Sequence, residues 1–534
     1  MVVTRSRGRN LNYVLAERRA RRLRRLRLTG VGALIGAALF FILRAYLEQR
    51  PNPAFELNRL VVAPFENRTG DAALDTLGLV TSDWITRVLS GYARQRAVVP
   101  TTTTLAYMRS ARLARHDLFN RAMLLARGTR SQIVVWGTYY QTGDTLRFNL
   151  EMLDLKTGLM MGAPPQVVEP LGNVMTAVDR VRNVVVRQAL QTEFWNRPRP
   201  RPVPNRAAYQ AFVGGLDDMI NRRYQHAAAR FGAAARSDTI SWLPHQIWLI
   251  EALLSAREFQ RAESASKSLN GRRVTRADEA RAMRAFARLR NDRREVLSWS
   301  TQLAEQNRAD DLAHYDLALD ALALGRVREA RRIFGEMRPN FGFLHGRPDF
   351  YLHHAAAYHL LNNHQEELRV VRAGIIARHR SLDVRLANCR VRAALPDEAD
   401  ATSALNAIVA RDTDTTSTLT VGEALDDCAA ELGVHGKARA AARAHALSRE
   451  WSARRPPRRP LARDSTYESV YLKLATARAA AQQGEAGRAL TTLYDAVSDG
   501  LPYYEPGRMM LHAEPAFRRL LNTRGFRQIN QPGG

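Results

Sequence analysis

The chain has almost no lysine. Of its 80 basic residues only Lys156, Lys267, Lys437 and Lys473 are lysines, so the net charge of +28 is carried by arginines spread along the whole length. An even spread of one basic residue type argues against a selected nucleic-acid patch, and no recognisable nucleic-acid-binding module accompanies the charge. Cysteine is also scarce. Cys389 and Cys428 are too few for a disulfide scaffold or a cysteine zinc site. The two could be bridged in an oxidising compartment, or could be separate core thiols. There is no Gly-x-x-x-x-Gly-Lys-Ser/Thr phosphate loop, no His-Glu-x-x-His and no nucleophile elbow. The sequence therefore offers no catalytic residues and calls for no cofactor and no metal.

What the chain does have begins at its amino terminus. Ten arginines among the first 27 residues are opposed by Glu17 alone, and Leu28 to Leu43 then carries no ionisable side chain. The stem of Arg44 can snorkel, so an apolar helix can extend to Leu47. Twenty residues at about 1.5 Å each span a hydrocarbon core of about 30 Å. Residues 1–27 read as a cytoplasmic Arg-rich segment and 28–47 as a retained transmembrane signal anchor. Leu43-Arg44-Ala45-Tyr46-Leu47 is a poor cleavage site, and the positive-inside rule puts the remainder across the membrane. The expected topology is single-pass, with the amino terminus cytoplasmic and the bulk extracytoplasmic. Leu28, Gly32, Gly36, Phe40 and Leu43 mark the anchor, lipid is its partner, and Gly32-x-x-x-Gly36 could bring two helices together as a homodimer. Setting aside the +9 of residues 1–27 and Arg44, +18 of the +28 remains on residues 45–534. Such a surface attracts anionic headgroups, polyanionic glycans or acidic proteins.

Residues 58–195 read as an α+β domain. Leu60 to Phe65 is a buried strand that runs into a polar loop, Glu66 to Asp71. Leu77, Val80, Trp84 and Val88 recur at helical spacing. Arg96 to Pro100 reads as a second strand, and Leu118 to Arg127 as a helix with Gly128 as its C-cap. Gln132 to Tyr140 is strand-like and turns at Gly143-Asp144. Leu146, Phe148, Leu150 and Met152 then alternate with Arg147, Asn149 and Glu151, so one face is buried. A turn at Lys156-Thr157-Gly158 follows. Val174, Val178, Val181 and Val185 line a covering helix. Asn196 to Asn205, with proline at every second position from Pro198 to Pro204, is a stiff linker.

From Arg206 to the end the pattern is helical and repetitive. Ala227, Ala262, Val296, Ala330, Glu367, Ala404, Ala441 and Ala489 mark second-helix positions where a small residue permits close contact, at intervals of 35, 34, 34, 37, 37, 37 and 48. Val296 and Glu367 fit this rule poorly. Gly215, Ala227, Phe231 and Ala234 make the clearest hairpin, and Ala330 with Phe334, and Ala489, repeat it. The fold class that follows is an α+β domain, then an all-α superhelical solenoid whose concave face takes a protein or peptide, with one amino-terminal transmembrane helix. Ser465-x-x-Glu468 reads as a capping box.

Leu60-Val-Val-Ala-Pro-Phe-Glu-Asn-Arg-Thr-Gly-Asp71, with Ile133-Val-Val-Trp-Gly137, Gly143-Asp144, Leu153-Asp154 and Thr157-Gly158, resembles the TolB amino-terminal-like domain, related to FlgO-type domains. The helical part resembles a degenerate tetratricopeptide array, and His512-Ala-Glu-Pro-Ala-Phe517 to Gly525-Phe526 looks like the tail of the same family. In many relatives a kinase, cyclase or DNA-binding domain precedes the membrane helix, and residues 1–27 are too few for one. The resemblance implies an extracytoplasmic sensing or docking module, located in a bacterial inner membrane with its bulk periplasmic.

Other constellations read as structural. His345, Asp349, His353, His354, His359 and His364 crowd one region, but the five-residue step from His354 to His359 does not place ligands on one helical face, so a solvated helix surface is expected. Glu66, Asp71, Asp144 and Asp154 sit at turns and caps. Tyr139 and Tyr140 read as strand packing, and Trp242 and Trp248 as seals between hairpins. The function that follows is a non-catalytic, membrane-anchored scaffold. The alternatives are an envelope-acting hydrolase, which would need Glu66 and Asp71 gathered with a third acid in one pocket, and a signalling regulator acting through residues 1–27.

Overall fold

The computed structural model describes residues 55–91, 97–113, 116–190, 203–240, 242–269, 271–272, 276–339, 341–345, 347–378, 380–410, 419–454, 465–505 and 510–530. The anchor residues Leu28, Gly32, Gly36, Phe40 and Leu43, and most of the linker 196–205, lie outside these. Among the described residues no helix is long and apolar enough to cross a membrane.

The first part is a mixed sheet with helices on both faces. Its strands are β1 (Glu56–Val62), β2 (Glu66–Asn67), β3 (Ala97–Val98), β4 (Ser131–Thr142), β5 (Thr145–Asp154), β6 (Leu159–Met160) and β7 (Val167–Pro170). The order is β3-β1-β4-β5-β6, with β2 on β4 and β7 on β5. β1 runs parallel to β3 and β4, and β5 returns antiparallel to β4. The helices are α1 (Leu77–Ser90), α2 (Thr101–Ser110), α3 (Leu118–Gly128) and α4 (Val174–Leu190). Alternation along the strands divides the core in two. Leu60, Val62, Ile133 and Val135 pack with Trp84 of α1 and Val178 of α4. Val61, Ala63, Val134 and Trp136 pack with Tyr107 of α2 and Leu125 of α3. Covered on both sides, β4 is buried almost continuously from Ser131 to Tyr139.

Gly128 differs from its expected role. It ends α3 inside the last turn, and Arg130, not Gly128, takes the positive φ of 54°. The glycine is required because a Cβ there would overlap the Tyr107 ring. Helix α2 was not apparent in the sequence at all.

Eight helical hairpins follow among the described residues: α5 (Arg206–Ile220) with α6 (Tyr224–Ser237), α7 (Pro244–Ser255) with α8 (Phe259–Ser266), α9 (Arg276–Leu289) with α10 (Arg293–Gln306), α11 (Asp311–Ala323) with α12 (Val327–Glu336), α13 (Asp349–Leu360) with α14 (His364–Arg378), α15 (Leu382–Ala394) with α16 (Glu398–Val409), α17 (Val421–Val434) with α18 (Ala438–Ala453), and α19 (Ser465–Gln482) with α20 (Ala486–Ser498). A short helix α21 (Arg524–Ile529) closes the chain. The side chains of Ser465 and Glu468 lie outside the described set.

One turn sets the repeat. Arg222, Arg257, Asn291, Gly325, Asn362, Gly436 and Gly484 all have positive φ, between 54° and 82°. In each, the next residue's N–H reaches back five residues, as from Asn363 to the Tyr358 carbonyl (3.0 Å) and from Lys437 to the Leu432 carbonyl (2.8 Å). This is the Schellman closure of the first helix. Five residues after each positive-φ position lies a buried second-helix residue: Ala227, Ala262, Val296, Ala330, Glu367, Ala441 and Ala489. The α15–α16 turn departs because Pro396 has no N–H to donate. There the matching fourth residue of the second helix is Ala401. Ala404, the expected position, lies one turn further on, although it is buried too. Gly215 serves close packing, since a Cβ there would press on the Phe231 ring.

The two parts share one core. Tyr209 of α5 donates its hydroxyl to the Asp83 carboxylate of α1 (2.6 Å) and meets Trp84 edge-on at 5.9 Å. The Arg87 guanidinium lies 4.5 Å over the Phe212 ring. A second junction forms further along the array. Asn307 donates to the Val98 carbonyl (2.8 Å) and Arg338 to the Gly128 carbonyl (2.9 Å). Trp242 stacks on Tyr209 at 5.0 Å, and Trp248 lies under the Arg281 guanidinium at 4.3 Å. Both tryptophans therefore seal helix contacts.

Candidate functional site

The carboxyl-terminal segment folds back along the first helices of the later hairpins. The Tyr503 amide donates to the Ala323 carbonyl at the end of α11 (2.6 Å). The Tyr504 hydroxyl meets Nδ1 of His353 on α13 (3.1 Å), with the Arg390 guanidinium of α15 5.9 Å above its ring. His512 reaches Glu431 on α17 (3.2 Å). The face expected to receive a partner is thus lined, from α11 to α17, by the chain's own residues 499–505 and 510–513.

This strap explains where the histidines go. They do not form a solvated surface: Asp349, His353 and His359 are buried. Helix α13 is covered on one side by α14 and on the other by α15 and the strap. Burial, aided by the charges of Arg222, Arg390 and Arg347 and only partly countered by Asp349, pushes the imidazolium pKa of His353 down to about 4. His354 is lowered to about 4 by burial and by the charges of Arg369 and Arg331.

His359, Glu367, Glu431 and His512 converge, joined by His364 and His435. Three separate stretches of chain meet here. The Schellman turn at Asn362 sets His359, in the last turn of α13, against His364 and Glu367, in the first turn of α14. The end of α17 supplies Glu431, and its C-cap supplies His435. The strap supplies His512. Nδ1 of His359 lies 2.9 and 3.0 Å from the two Glu367 oxygens, and its Nε2 lies 3.3 Å from Oε2 of Glu431. Nδ1 of His364 is 2.9 Å from Glu367. Nε2 of His435 is 3.8 Å from Oε2 of Glu431. The His359 and His512 rings stack at 5.4 Å. Both carboxylates are 1% exposed and His359 is 2% exposed.

Electrostatics split the imidazoles. Burial works against a charged His359, but Glu367 and Glu431 outweigh it and raise its pKa to about 10. His435 is driven by burial down to about 4, against the pull of Glu431. Glu431 is held well below the usual carboxylate range: its burial is outweighed by His512 and His359. Among the described residues, the groups of nitrogen and oxygen atoms close enough to share one cation are His359, Glu431 and His512, and His359, His364 and Glu367. Sequence spacing missed this because the rule of three or four residues applies within one helix. The one signal available was Glu367, an acid in a slot that otherwise takes a small or apolar residue.

A turn back along α17, toward its amino-terminal end, lies a cavity of about 210 Å³ between α17, α19 and the strap. Glu423, Asp426, Asp427, Glu505 and Glu514 line it against Arg478 as the single guanidinium. Asp427 pairs with Arg390 (2.7 Å), yet burial still lifts its pKa to about 6. Beside that pair, Cys389 of α15 and Cys428 of α17 are joined as a disulfide, with their Cα atoms 5.7 Å apart.

The carboxylates considered for catalysis are each engaged locally. Glu66 is bound by Arg68 (3.1 Å) and Arg121 (2.6 Å), Asp71 caps the Ala73 amide (2.8 Å), and Asp154 accepts from Gln132 (3.0 Å). Tyr139 is a core residue, its hydroxyl donating to the Leu74 carbonyl (2.7 Å).

No known protein family matches the chain, and no curated protein matches it. Among solved structures, one similarity is to the APC/C hetero-tetramer Cut9-Hcn1, at 14% identity and a TM-score of 0.36. It covers 59% of this chain, which in turn spans 56% of that one.

Proposed function

We propose that the chain is a non-catalytic, membrane-anchored scaffold that presents a TolB-N-like domain and a tetratricopeptide-type array for protein binding in the extracytoplasmic space. The observation that carries the reading is the array itself: successive hairpins closed by one recurring turn, braced against the α/β part at two separate junctions. Such stacks are rigid surfaces suited to holding a peptide or partner helix. The Cys389–Cys428 disulfide supports a placement outside the reducing cytosol. The uncharged run Leu28–Leu43 behind ten arginines supports the anchor.

Since the strap lines the first-helix face, the partner engages the acidic cavity beside it and contributes a basic side chain there. That also gives an otherwise strongly cationic protein one anionic recess. The test uses the full-length chain with a photo-crosslinking residue beside the cavity, at Leu474, in intact cells. A defined partner cross-linked through a lysine- or arginine-bearing segment, and lost in Glu423→Lys/Asp426→Lys, is the expected result. Cross-linking that survives the charge reversal contradicts the reading.

A further inference from the structure

We infer that His359, His512, His435 and Glu431 form a binding site for one zinc-class divalent cation, with Glu367 as the group that orients His359.

The spacing of the ligand atoms is the first argument. Zinc binds imidazole nitrogen and carboxylate oxygen at about 2.0–2.2 Å with tetrahedral geometry, which sets neighbouring ligand atoms about 3.3 Å apart. Nε2 of His359 stands 3.3 Å from Oε2 of Glu431, and Nε2 of His512 stands 3.2 Å from Oε1. Nε2 of His435, 3.8 Å from Oε2 of Glu431, stands outside this group and would have to turn toward it to complete the set. Orientation is the second. A metal-bound imidazole donates its other ring N–H to a carboxylate, which fixes the tautomer. Glu367 accepts from Nδ1 of His359 and leaves Nε2 facing Glu431. The third is how Glu431 is satisfied: its deeply buried Oε1 faces Nε2 of His512 at 3.2 Å but accepts no hydrogen bond in good geometry. A buried carboxylate oxygen so poorly satisfied is costly, and a cation would satisfy it. Three imidazoles and one carboxylate favour zinc and its borderline neighbours over the oxygen-seeking Mg²⁺ and Ca²⁺.

Bound metal would tie the strap, through His512, to α13 and α17. Residues Met510 to Ala513 would then be held on the array by coordination as well as by packing.

Purified full-length protein in detergent, incubated with Zn²⁺ alone and desalted, is expected to retain one equivalent per chain. With Co²⁺ it should give the intense visible bands of a tetrahedral ion. Glu431→Gln should abolish retention, and Glu367→Gln should weaken affinity about 10–100-fold. His445→Gln, at a half-exposed histidine outside the cluster, should change nothing. Chelation should accelerate amide exchange at residues 510–513. If Glu431→Gln fails to fold, the wild-type cobalt spectrum decides alone. A folded wild-type chain that retains no Zn²⁺ and gives only the weak spectrum of octahedral Co²⁺ overturns the proposal, leaving His359 as a histidinium clasped by two carboxylates.

Discussion

Reducing the Cys389–Cys428 bond should loosen one region of the array far more than any other. The bridge closes a loop of sequence separation 39 and ties α15 to α17, the first helices of adjacent hairpins. Loop-closure entropy for that length comes to about 4 kcal/mol. In a repeat array, stability is a sum of local and nearest-neighbour terms, so the loss should fall on the 382–434 region and its immediate neighbours. At about 1.4 kcal/mol per tenfold, 4 kcal/mol corresponds to nearly three orders of magnitude in opening equilibrium. The assay is native-state hydrogen exchange on oxidised protein and on Cys389→Ala/Cys428→Ala. Amides of α15 and α17 should exchange hundreds-fold faster, while β4 and β5 stay unchanged. The Arg390–Asp427 pair, one residue from each cysteine, should be exposed by the same openings. Equal exchange in the two proteins at α15 and α17, or an acceleration spread evenly to the sheet, would refute the reasoning.

Three further outcomes are expected. Tyr209→Phe leaves the buried Asp83 without its hydroxyl donor, which should cost about 1–3 kcal/mol and raise exchange in both α1 and α5. Gly128→Ala forces a methyl group into the Tyr107 ring and should destabilise by about 1–3 kcal/mol in thermal or denaturant unfolding, with Tyr107→Ala partly rescuing the clash. His353 has an ordinary unfolded pKa near 6.5 but a folded value lowered to about 4, so between those pH values the unfolded chain binds the extra proton. Its contribution is intact above pH 6.5 and is lost as pH falls toward 4, by about 3 kcal/mol in all. Unfolding free energy measured against pH should fall less steeply over this window in His353→Asn.

Legibility in the sequence followed the range of the interactions. Leu146, Phe148, Leu150 and Met152 show their buried face because alternation is a local property of a strand. The heptad-like run from Leu77 to Val88 is visible for the same reason. Helix α2 was hidden because Thr101 to Thr104 is a β-branched run with no helical apolar stripe. It is held by burial against α3 and the Phe341–Leu344 turn, not by propensity. The repeat spacing was visible through its small residues, but its cause, a positive-φ residue five positions earlier, was not, because arginine fills that place at Arg222 and Arg257 where glycine or asparagine would advertise it. The histidine–glutamate cluster was the least legible. Its members come from residues 359–367, 431–435 and 512, and only the fold-back of the strap brings the last to the others. Glu367, the misfit in the repeat, was its sole trace.

The proposed function depends most on where the folded part resides. A reporter fused after Gly534 of the full-length chain, of a kind that becomes active only outside the cytoplasm, tests this directly. Activity of that fusion, together with silence of the matching cytoplasm-only reporter, is the expected result. The reverse pattern would place both the array and its disulfide in the cytosol, and the scaffold described here would have neither its compartment nor its partners.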